Sequence, residues 1–284
     1  MRIVRTVADL RGALAPERRA NRPIGFAPTM GALHDGHLSL LRAARAQNDV
    51  VVASIFVNPK QFGPGEDLER YPRDETRDAE VAESAGANLL YAPSAEEVYP
   101  DGFATTVAVA GLSDVLCGDP GRRGAAHFRG VTTVVAKLLN SVRPDRVYFG
   151  QKDAQQAIVV RRMVRDLDFD VEVVVEPTVR EPDGLAMSSR NAYLDPDARD
   201  RAAALSRGLR AAADAARDGV PTAAALAAAR SELEAAEIEP EYLEARDAED
   251  LSPAQSFNGR PVLVAVAAEV GGARLIDNTI IGGH

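Results

Sequence analysis

Short apolar runs alternate with amphipathic stretches over the first 178 residues of the chain. Runs rich in β-branched residues predict buried strands, and apolar residues that recur every three or four positions predict helices. Because buried strands separated by helices form parallel sheets, the pattern predicts a Rossmann-like, doubly wound α/β sheet. Strands are expected at residues 24–29, 50–57, 88–91, 146–149 and 171–176, and helices at residues 37–47, 73–85, 130–142 and 153–166.

The pattern changes after residue 178. Residues 196–218 and 221–236 are rich in Ala, Arg and Glu and predict helices, and shorter alternating runs follow at residues 242–246, 262–270 and 273–277. Two glycines between the last two runs predict a hairpin turn. We therefore expect two domains, residues 1–178 and residues 179–284, the second a smaller α+β domain with a short antiparallel sheet.

Composition limits the classes of function. The formal net charge is −9 and the sequence pI is about 5.1, which disfavours nucleic acid as a partner. Apolar runs are too short to span a membrane, and the N-terminus lacks the apolar core of a signal peptide. A single cysteine, Cys117, excludes an internal disulfide and fits a reducing compartment. We expect a cytoplasmic protein with no membrane or nucleic-acid partner.

The segment His34-Asp35-Gly36-His37 lies where a predicted strand turns into a predicted helix. A helix start offers free N–H groups and the positive end of the helix dipole, glycine permits close approach, and imidazoles add donors. This equipment suits the phosphates of a nucleoside triphosphate. A zinc site is the rival interpretation; it is disfavoured because no cysteine partner and one further internal histidine, His127, are at hand.

Four more polar segments follow predicted strands or precede predicted helices. Each alone is a weak signal, and a polar turn explains each one as well. Lysine occurs at only three positions of an otherwise Arg-rich chain, which suggests a need for a compact ammonium at some of them, with drift as the alternative for Lys137. Lys152, between a predicted strand and a predicted helix, is expected to reach a phosphate. A glycine- and arginine-rich loop at residues 118–124 has the character of a lid. The segments are Asn58-Pro59-Lys60-Gln61, His127-Phe128-Arg129-Gly130, Gly150-Gln151-Lys152-Asp153 with Gln156, and Met187-Ser188-Ser189-Arg190.

Taken together, in this order and spacing, these segments resemble the pantothenate synthetase (pantoate–β-alanine ligase) family of the HIGH-motif nucleotidyltransferases. The resemblance runs from Thr29 to Asn191, with departures at Gln151, where members commonly have Glu, and at Ala125-Ala126, where they commonly have Pro-Gly. It implies ATP-dependent ligation of pantoate and β-alanine through pantoyl adenylate, with release of AMP and pyrophosphate. It also implies Mg²⁺, a homodimer, and binding of nucleotide and pantoate by residues 1–178.

The resemblance also assigns roles to residues. Catalytic roles fall to His34, His37, Lys152, Ser188, Ser189 and Arg190. ATP contacts are implied for Met30, Gly31, Ala32, Leu33, His34, Asp35, Gly36, His37, Gly150, Gln151, Lys152, Asp153, Val179, Met187, Ser188, Ser189 and Arg190. Substrate contacts are implied for Asn58, Gln61, Tyr71, His127 and Gln156.

Two other functions share part of this signal. Another HIGH-motif nucleotidyltransferase, making a dinucleotide or a CDP-alcohol, would carry the same His-x-Gly-His turn. A non-catalytic nucleotide-binding module would need that turn but not Gln61 and Gln156 together with Lys152. An aminoacyl-tRNA synthetase is disfavoured by the short, acidic chain. The sequence has no Gly-x-Ser-x-Gly nucleophile elbow, which favours direct transfer without a covalent enzyme intermediate.

Overall fold

A computed structural model describes residues 1–282 of the chain. Within these residues, six parallel strands form one sheet and three antiparallel strands form another. The parallel sheet has the order β1-β4-β3-β2-β5-β6. Its strands are β1 (Arg2–Val4), β2 (Ile24–Thr29), β3 (Val50–Ile55), β4 (Leu89–Tyr91), β5 (Arg146–Gly150) and β6 (Glu172–Glu176).

The helices of the described residues vary from one to about five turns. They are α1 (Val7–Arg19), α2 (Asp35–Gln47), α3 (Glu75–Ser84), α4 (Ala95–Val98), α5 (Ala125–Val142), α6 (Ala154–Asp166), α7 (Pro196–Ala202), α8 (Ala204–Arg217) and α9 (Thr222–Ala235). None of the helices within residues 1–282 is long and apolar enough to cross a membrane.

The chain packs as two compact units. Unit 1 comprises Met1–Gly150 and Val159–Pro177, and unit 2 comprises Gln151–Ile158 and the chain from Thr178 onward. Helix α6 therefore begins in unit 2 and ends in unit 1. The boundary predicted at residue 178 places residues 151–158 in the first domain, whereas they pack with unit 2. A helical pattern in the sequence does not reveal which unit each turn of the helix packs against.

The strand order of unit 1 creates a switch point. From β2 the chain moves outward through β3 and β4, and then returns to pair β5 with the other side of β2. Ligands of open α/β sheets bind at such a point, beyond the carboxyl ends of the two central strands. The segment that begins at Met30 follows β2 here. The core beneath it includes Leu41, Val51 and Tyr148, all fully buried.

The antiparallel sheet of unit 2 is a meander of β7 (Pro240–Asp247), β8 (Val262–Val270) and β9 (Ala273–Ile281). Gly271 and Gly272 connect β8 to β9 with φ values of +56° and +73°. Two consecutive positive φ values are what a tight hairpin turn requires, and glycine adopts them at little cost. The core of this unit joins Leu205 and Leu209 of α8 to Val264 of β8.

The predicted fold class is confirmed, and the differences are local. The predicted strands of the parallel sheet are observed within two residues at each end. Three elements escaped prediction: β1 and α4 have only three and four residues, and α1 contains Pro16 and buries only Leu10 and Leu14. Helix α5 begins at Ala125 rather than 130, and the helix expected at residues 196–218 is divided at Ala203.

Candidate active site

The turn after β2 is held in place by hydrogen bonds to the buried carboxylate of Asp78. Gly31 and Ala32 have φ values of +84° and +50°, so the chain reverses before α2 begins. This reversal aims two consecutive N–H groups at Asp78 of α3: Ala32 donates to Oδ2 at 2.8 Å and Leu33 to Oδ1 at 2.7 Å. Asp78 is 1% exposed. The peptide groups of Ala32 and Leu33 therefore shape the turn, with their N–H groups committed to α3.

Arg77, which precedes Asp78 in α3, binds the same turn on its solvent-exposed side. The Arg77 guanidinium donates to the Leu33 carbonyl at 3.1 Å, while its own N–H is capped by Asp74 at 3.0 Å. Leu33 thus has its N–H bound by one residue of α3 and its C=O bound by the preceding one. The conformation of the residue before His34 is fixed on both sides.

The two imidazoles cap the start of α2 and each other. The Nδ1 atom of His34 accepts from the Gly36 N–H at 3.1 Å, and the Nδ1 atom of His37 accepts from the His34 N–H at 3.4 Å. Their ring centroids lie 4.1 Å apart. A nitrogen that accepts a backbone N–H carries no proton, so each neutral ring bears its proton on Nε2. In their neutral forms, both rings at this helix start therefore carry an Nε2–H donor.

The amide of Gln61 has a defined orientation because Asn58 sets it. Asn58 is 1% exposed; its Nδ2 donates to Gln61 Oε1 at 3.1 Å and to the Gly130 carbonyl at 3.1 Å. Its Oδ1 accepts from Tyr99 Oη at 2.8 Å and from the Lys60 N–H at 3.2 Å. Since Gln61 Oε1 is the acceptor for Asn58, its Nε2 is the group that faces Met30, with Sδ at 3.0 Å.

Burial raises the pKa of Tyr99 well above its ordinary value, against a smaller opposing contribution from the hydrogen bond with Asn58. The phenol therefore stays protonated and keeps donating to the Asn58 oxygen over the whole physiological range. Helix α5 also packs closely against the Asn58–Gln61 segment. A Cβ on Gly130 would lie 2.1 Å from the Lys60 carbonyl oxygen, so glycine is required at that position.

The carbonyl of Gln61 is held by His127 and Arg123. His127 Nδ1 lies 2.7 Å from this oxygen, and Arg123 lies 3.2 Å from His127 Nε2. A carbonyl only accepts and a guanidinium only donates, so His127 carries its proton on Nδ1, the opposite tautomer to His34 and His37. Both ring nitrogens of His127 therefore serve contacts within unit 1.

Arg123 is itself paired with Glu66. Burial favours the neutral form of this carboxyl, but the hydrogen bond and charge of Arg123 outweigh it, with help from the Gly63 N–H, and lower the pKa of Glu66 below its usual value. Residues 118–124, expected to be a lid, are also bound internally: Asp119 accepts from the Gly121, Arg122 and Gly124 N–H groups at 2.8 to 3.2 Å.

The turn that contains Lys152 belongs to unit 2. Residues Gln151–Asp153 form one 3-10 turn before α6, and Gln156 lies in the first turn of that helix. Lys152 Nζ lies 3.8 Å from Asp153 Oδ2. The buried Asn278 of β9 donates from Nδ2 to the carbonyls of Gln151 and Lys152, both at 2.9 Å.

The remaining predicted ATP-binding residues lie on a loop of unit 2 that folds back on itself. The Met187 N–H donates to the Val179 carbonyl at 3.0 Å, and Ser188 Oγ caps a 3-10 turn by accepting from the Arg190 N–H at 3.2 Å. Arg180 anchors the loop through two hydrogen bonds to Asp277 of β9, at 2.6 and 3.0 Å. Strand β9 packs against both the Gln151–Asp153 turn and the Ser189–Tyr193 turn.

Each unit thus gathers its own share of the predicted site residues. Unit 1 holds Met30 to His37, Asn58, Gln61, Tyr71, His127 and Gly150; unit 2 holds Gln151 to Asp153, Gln156, Val179 and Met187 to Arg190. Their proposed contacts with ligands stay predictions.

Two supporting residues were missed by the sequence reasoning. Asp78 lies in an amphipathic helix whose other acidic residues cap or face solvent, so nothing in the pattern marks it as buried. Asn278 follows Asp277 in β9, and both are buried. Two adjacent polar residues break the alternation expected of a strand with one buried face, and that break is the signal that could have found them.

Comparisons with known proteins, by family, by sequence and by structure, all give the same family. A family model described as pantoate-beta-alanine ligase matches residues 2–280. The pantothenate synthetase of Moorella thermoacetica is 53% identical over 283 residues, 99% of both chains. A crystal structure of pantothenate synthetase from Thermus thermophilus has a TM-score of 0.91 at 52% identity, covering 98% of this chain and 99% of that one.

A second solved structure extends the comparison to ligands. The pantoate–β-alanine ligase from Francisella tularensis, in complex with beta-gamma ATP and β-alanine, has a TM-score of 0.79 at 31% identity and covers 99% of this chain and 97% of that one. Since the family model covers nearly the whole chain and the relatives exceed half identity over full length, the chain belongs to the pantoate–β-alanine ligase family.

Proposed function

We propose that this chain ligates pantoate to β-alanine in an ATP-dependent reaction that passes through pantoyl adenylate and releases AMP and pyrophosphate. Family membership supports the overall ligation. The observation that carries the adenylation step is the capped pair His34 and His37, whose Nδ1 atoms both accept backbone N–H groups. Two Nε2–H donors at a helix start suit the charge that develops on a reacting α-phosphate.

In the first step, a carboxylate oxygen of pantoate bonds to the α-phosphorus of ATP. The bond from that phosphorus to the bridging oxygen breaks, and its electron pair leaves with pyrophosphate. His34 and His37 stabilise the charge at the α-phosphate. Lys152 and Arg190 of unit 2 neutralise the charge of the polyphosphate, and the hydroxyls of Ser188 and Ser189 donate hydrogen bonds to it. The remaining ATP-binding residues position the nucleotide, so that attack occurs from a defined direction.

In the second step, the amine of β-alanine attacks the acyl carbon of the adenylate. The C–O bond to AMP breaks, AMP departs with the electron pair, and the amine loses a proton as the amide forms. Gln61 supports both substrates, because its oriented Nε2 offers donors to carboxylate and hydroxyl oxygens. Asn58 sets that orientation, and Tyr71 and Gln156 are proposed to complete the substrate pocket. His127, whose ring nitrogens are both engaged, is proposed to line the pocket while it holds the Gln61 carbonyl.

Mg²⁺ is proposed to enter as part of the substrate, as MgATP. In the part of the chain that the structure describes, no three His, Cys, Asp or Glu side chains are arranged to hold a metal ion. Mg²⁺ commonly keeps several waters and binds through substrate phosphates, so the protein need not provide a cage of its own. We also propose that the enzyme acts in the cytoplasm and that it is a homodimer. Sedimentation at micromolar concentration would test the homodimer.

The test is isotope exchange between labelled pyrophosphate and ATP, with pantoate present or omitted. The proposal requires exchange that depends on pantoate, and AMP release that depends on both pantoate and β-alanine. Exchange without pantoate would instead indicate another nucleotidyltransferase, and ATP binding with no AMP release would indicate a binding module.

Replacing His37 with alanine tests whether the capped imidazoles stabilise the charge at the α-phosphate. We expect the kcat of pantoate-dependent exchange to fall about 100-fold or more, because a preorganised donor to the developing charge is lost. Exchange at the wild-type rate in this variant would contradict the role given to His37.

A further inference from the structure

Strand β9 carries two adjacent buried polar residues, Asp277 and Asn278. Asp277 is 2% exposed and Asn278 is 4% exposed. Buried polar side chains are costly unless their hydrogen bonds are made, so residues of this kind are retained for what they bind. Asn278 is the one whose partners belong to a turn that the proposed reaction uses.

All the hydrogen-bonding groups of the Asn278 side chain are engaged by that turn. Nδ2 donates to the Gln151 and Lys152 carbonyls at 2.9 Å each, and Oδ1 accepts from Gln151 Nε2 at 2.8 Å. A primary amide is the smallest neutral side chain that supplies two donors and an acceptor together. Aspartate would place an acceptor against two carbonyl oxygens, and alanine would leave both carbonyls without these donors.

These bonds fix the backbone on which Lys152 stands. Two consecutive carbonyls are bound to one rigid point in a strand, so the peptide planes on either side of the Lys152 Cα cannot rotate independently. A long flexible side chain can reach a phosphate from many backbone conformations, but reaching it with little loss of entropy requires that its base be held.

The neighbouring residue, Asp277, holds the second loop of unit 2 through a side chain rather than through the backbone. Asp277 accepts both hydrogen bonds from Arg180, which follows Val179, and its Oδ1 also accepts the Asn278 N–H at 2.7 Å. One short stretch of β9 therefore holds the two segments of unit 2 to which ATP contacts are assigned.

We propose that Asn278 is a positioning residue for adenylation: it holds the Gln151–Asp153 turn so that Lys152 meets the polyphosphate of ATP. The proposal rests on the function proposed above. Asn278 touches no reacting atom and acts through the Lys152 backbone.

The experiment compares Asn278→Ala and Asn278→Asp with Asn48→Ala and Asn48→Asp. Asn48 is the matched control, since it is also buried, at 6% exposure, and its Nδ2 donates to the Ala44 carbonyl and to Tyr148 Oη, both at 2.8 Å, at the opposite end of the parallel strands. Thermal unfolding, ATP affinity by calorimetry and pantoate-dependent pyrophosphate exchange are measured for all four variants.

We expect the Asn278 variants to weaken ATP binding about 10-fold and to lower exchange kcat about 10-fold or more, while the KM for β-alanine stays unchanged. The Asn48 variants are expected to lose thermal stability to a comparable extent and to keep wild-type ATP affinity and exchange. Losses of activity in the Asn278 variants that match those of the Asn48 variants would overturn the proposal.

A double-mutant comparison separates positioning of Lys152 from general support. In a Lys152→Ala background, Asn278→Ala should weaken ATP binding by less than about 2-fold, because the group it positions is already gone. A full 10-fold loss in that background would also overturn the proposal. Failure of the proposed function itself is distinguished by the wild-type protein, which would then show no pantoate-dependent exchange.

Discussion

The turn after β2 in unit 1 and the Gln151–Asp153 turn in unit 2 are held in opposite ways. In unit 1 the two oxygens of Asp78 accept from two consecutive N–H groups, at Ala32 and Leu33. In unit 2 the amide nitrogen of Asn278 donates to two consecutive carbonyls, at Gln151 and Lys152. In both cases one buried side chain, distant in sequence, binds two adjacent peptide groups of a segment with a proposed catalytic role.

The difference follows from the backbone of each turn. Gly31 and Ala32 have positive φ, which turns successive N–H groups toward α3, and a carboxylate has two acceptor oxygens and no donor to oppose them. The 3-10 turn of unit 2 instead presents carbonyls to β9, and a primary amide has two donors. The peptide groups that a turn leaves unpaired therefore dictate whether its supporting side chain must accept or donate hydrogen bonds.

The largest effect is expected from Asp78→Asn. The amide would place its NH₂ group against one of the two backbone donors, leaving a buried N–H unsatisfied. We expect a loss of about 3 kcal/mol in the free energy of unfolding, from the ordinary cost of such a group and of a lost charged acceptor. Pantoate-dependent exchange should fall about 100-fold, since the His34 cap follows this turn directly. Urea unfolding and exchange kinetics measure the two effects.

Asp145→Asn is the control for that variant. Asp145 also accepts a backbone N–H in unit 1, from Ile24 at 2.7 Å, but at the amino end of β2 and on the exposed surface. It should lose at most about 1 kcal/mol and keep its exchange activity. If Asp78→Asn were as active as Asp145→Asn, the turn would not need its carboxylate.

A smaller effect should distinguish the glycines of the two turns. A methyl group at Gly31 would lie 3.0 Å from Asp78 Oδ2 and 3.0 Å from Ile55 Cγ2, at a φ of +84°. A methyl at Gly150, which precedes the other turn, meets nothing within 4 Å. We expect Gly31→Ala to destabilise by about 2 kcal/mol and Gly150→Ala by less than about 0.5 kcal/mol, measured by urea unfolding.

Equal stability of the two alanine variants would mean that the first turn relaxes easily, and the contrast between a strained and an open turn would be lost. A fall in exchange activity for Gly150→Ala at unchanged stability would instead report on the close approach of a ligand to that backbone.

The smallest effect concerns the backbone carbonyl of Gln61 in unit 1. His127 and Arg123 hold this carbonyl, and Arg123 is paired with Glu66. The folded pKa of Glu66 is depressed, so its stabilisation is fully present above the unfolded value of about 4.3 and is lost as pH falls through the folded value. Glu66→Gln should therefore be less stable than wild type by about 1 kcal/mol between pH 5 and 8, and the difference should shrink below pH 4.

Thermal unfolding across this pH range is the measurement, with Glu172→Gln as the control. Glu172 pairs with Arg146 on the surface, at 2.8 Å, and its side chain is 63% exposed, so its removal should change stability little at any pH. A Glu66→Gln deficit that persists below pH 4 would show that shape, and not ionisation, accounts for the contribution.

Much of this protein could be predicted from its sequence. The period of the apolar residues located the central strands and the paired glycines located the hairpin, because both signals are local. The sequence also predicted that the His34–His37 segment lies at the start of a helix. It predicted free N–H groups there, whereas the Gly36 N–H is accepted by His34 Nδ1. The role of Asp78 could not, because burial of one carboxylate on an amphipathic helix depends on a turn 45 residues away.

The sequence by itself determined the sheet class, the chemical character of the proposed site and the family that the residues resemble. Tertiary structure alone decided which peptide groups needed partners, which tautomer His127 adopts, and which distant side chains hold the two turns. The physical reason is range: periodicity and turn chemistry act over a few residues, whereas satisfying a buried N–H or C=O depends on whatever side chain the fold brings within about 3 Å.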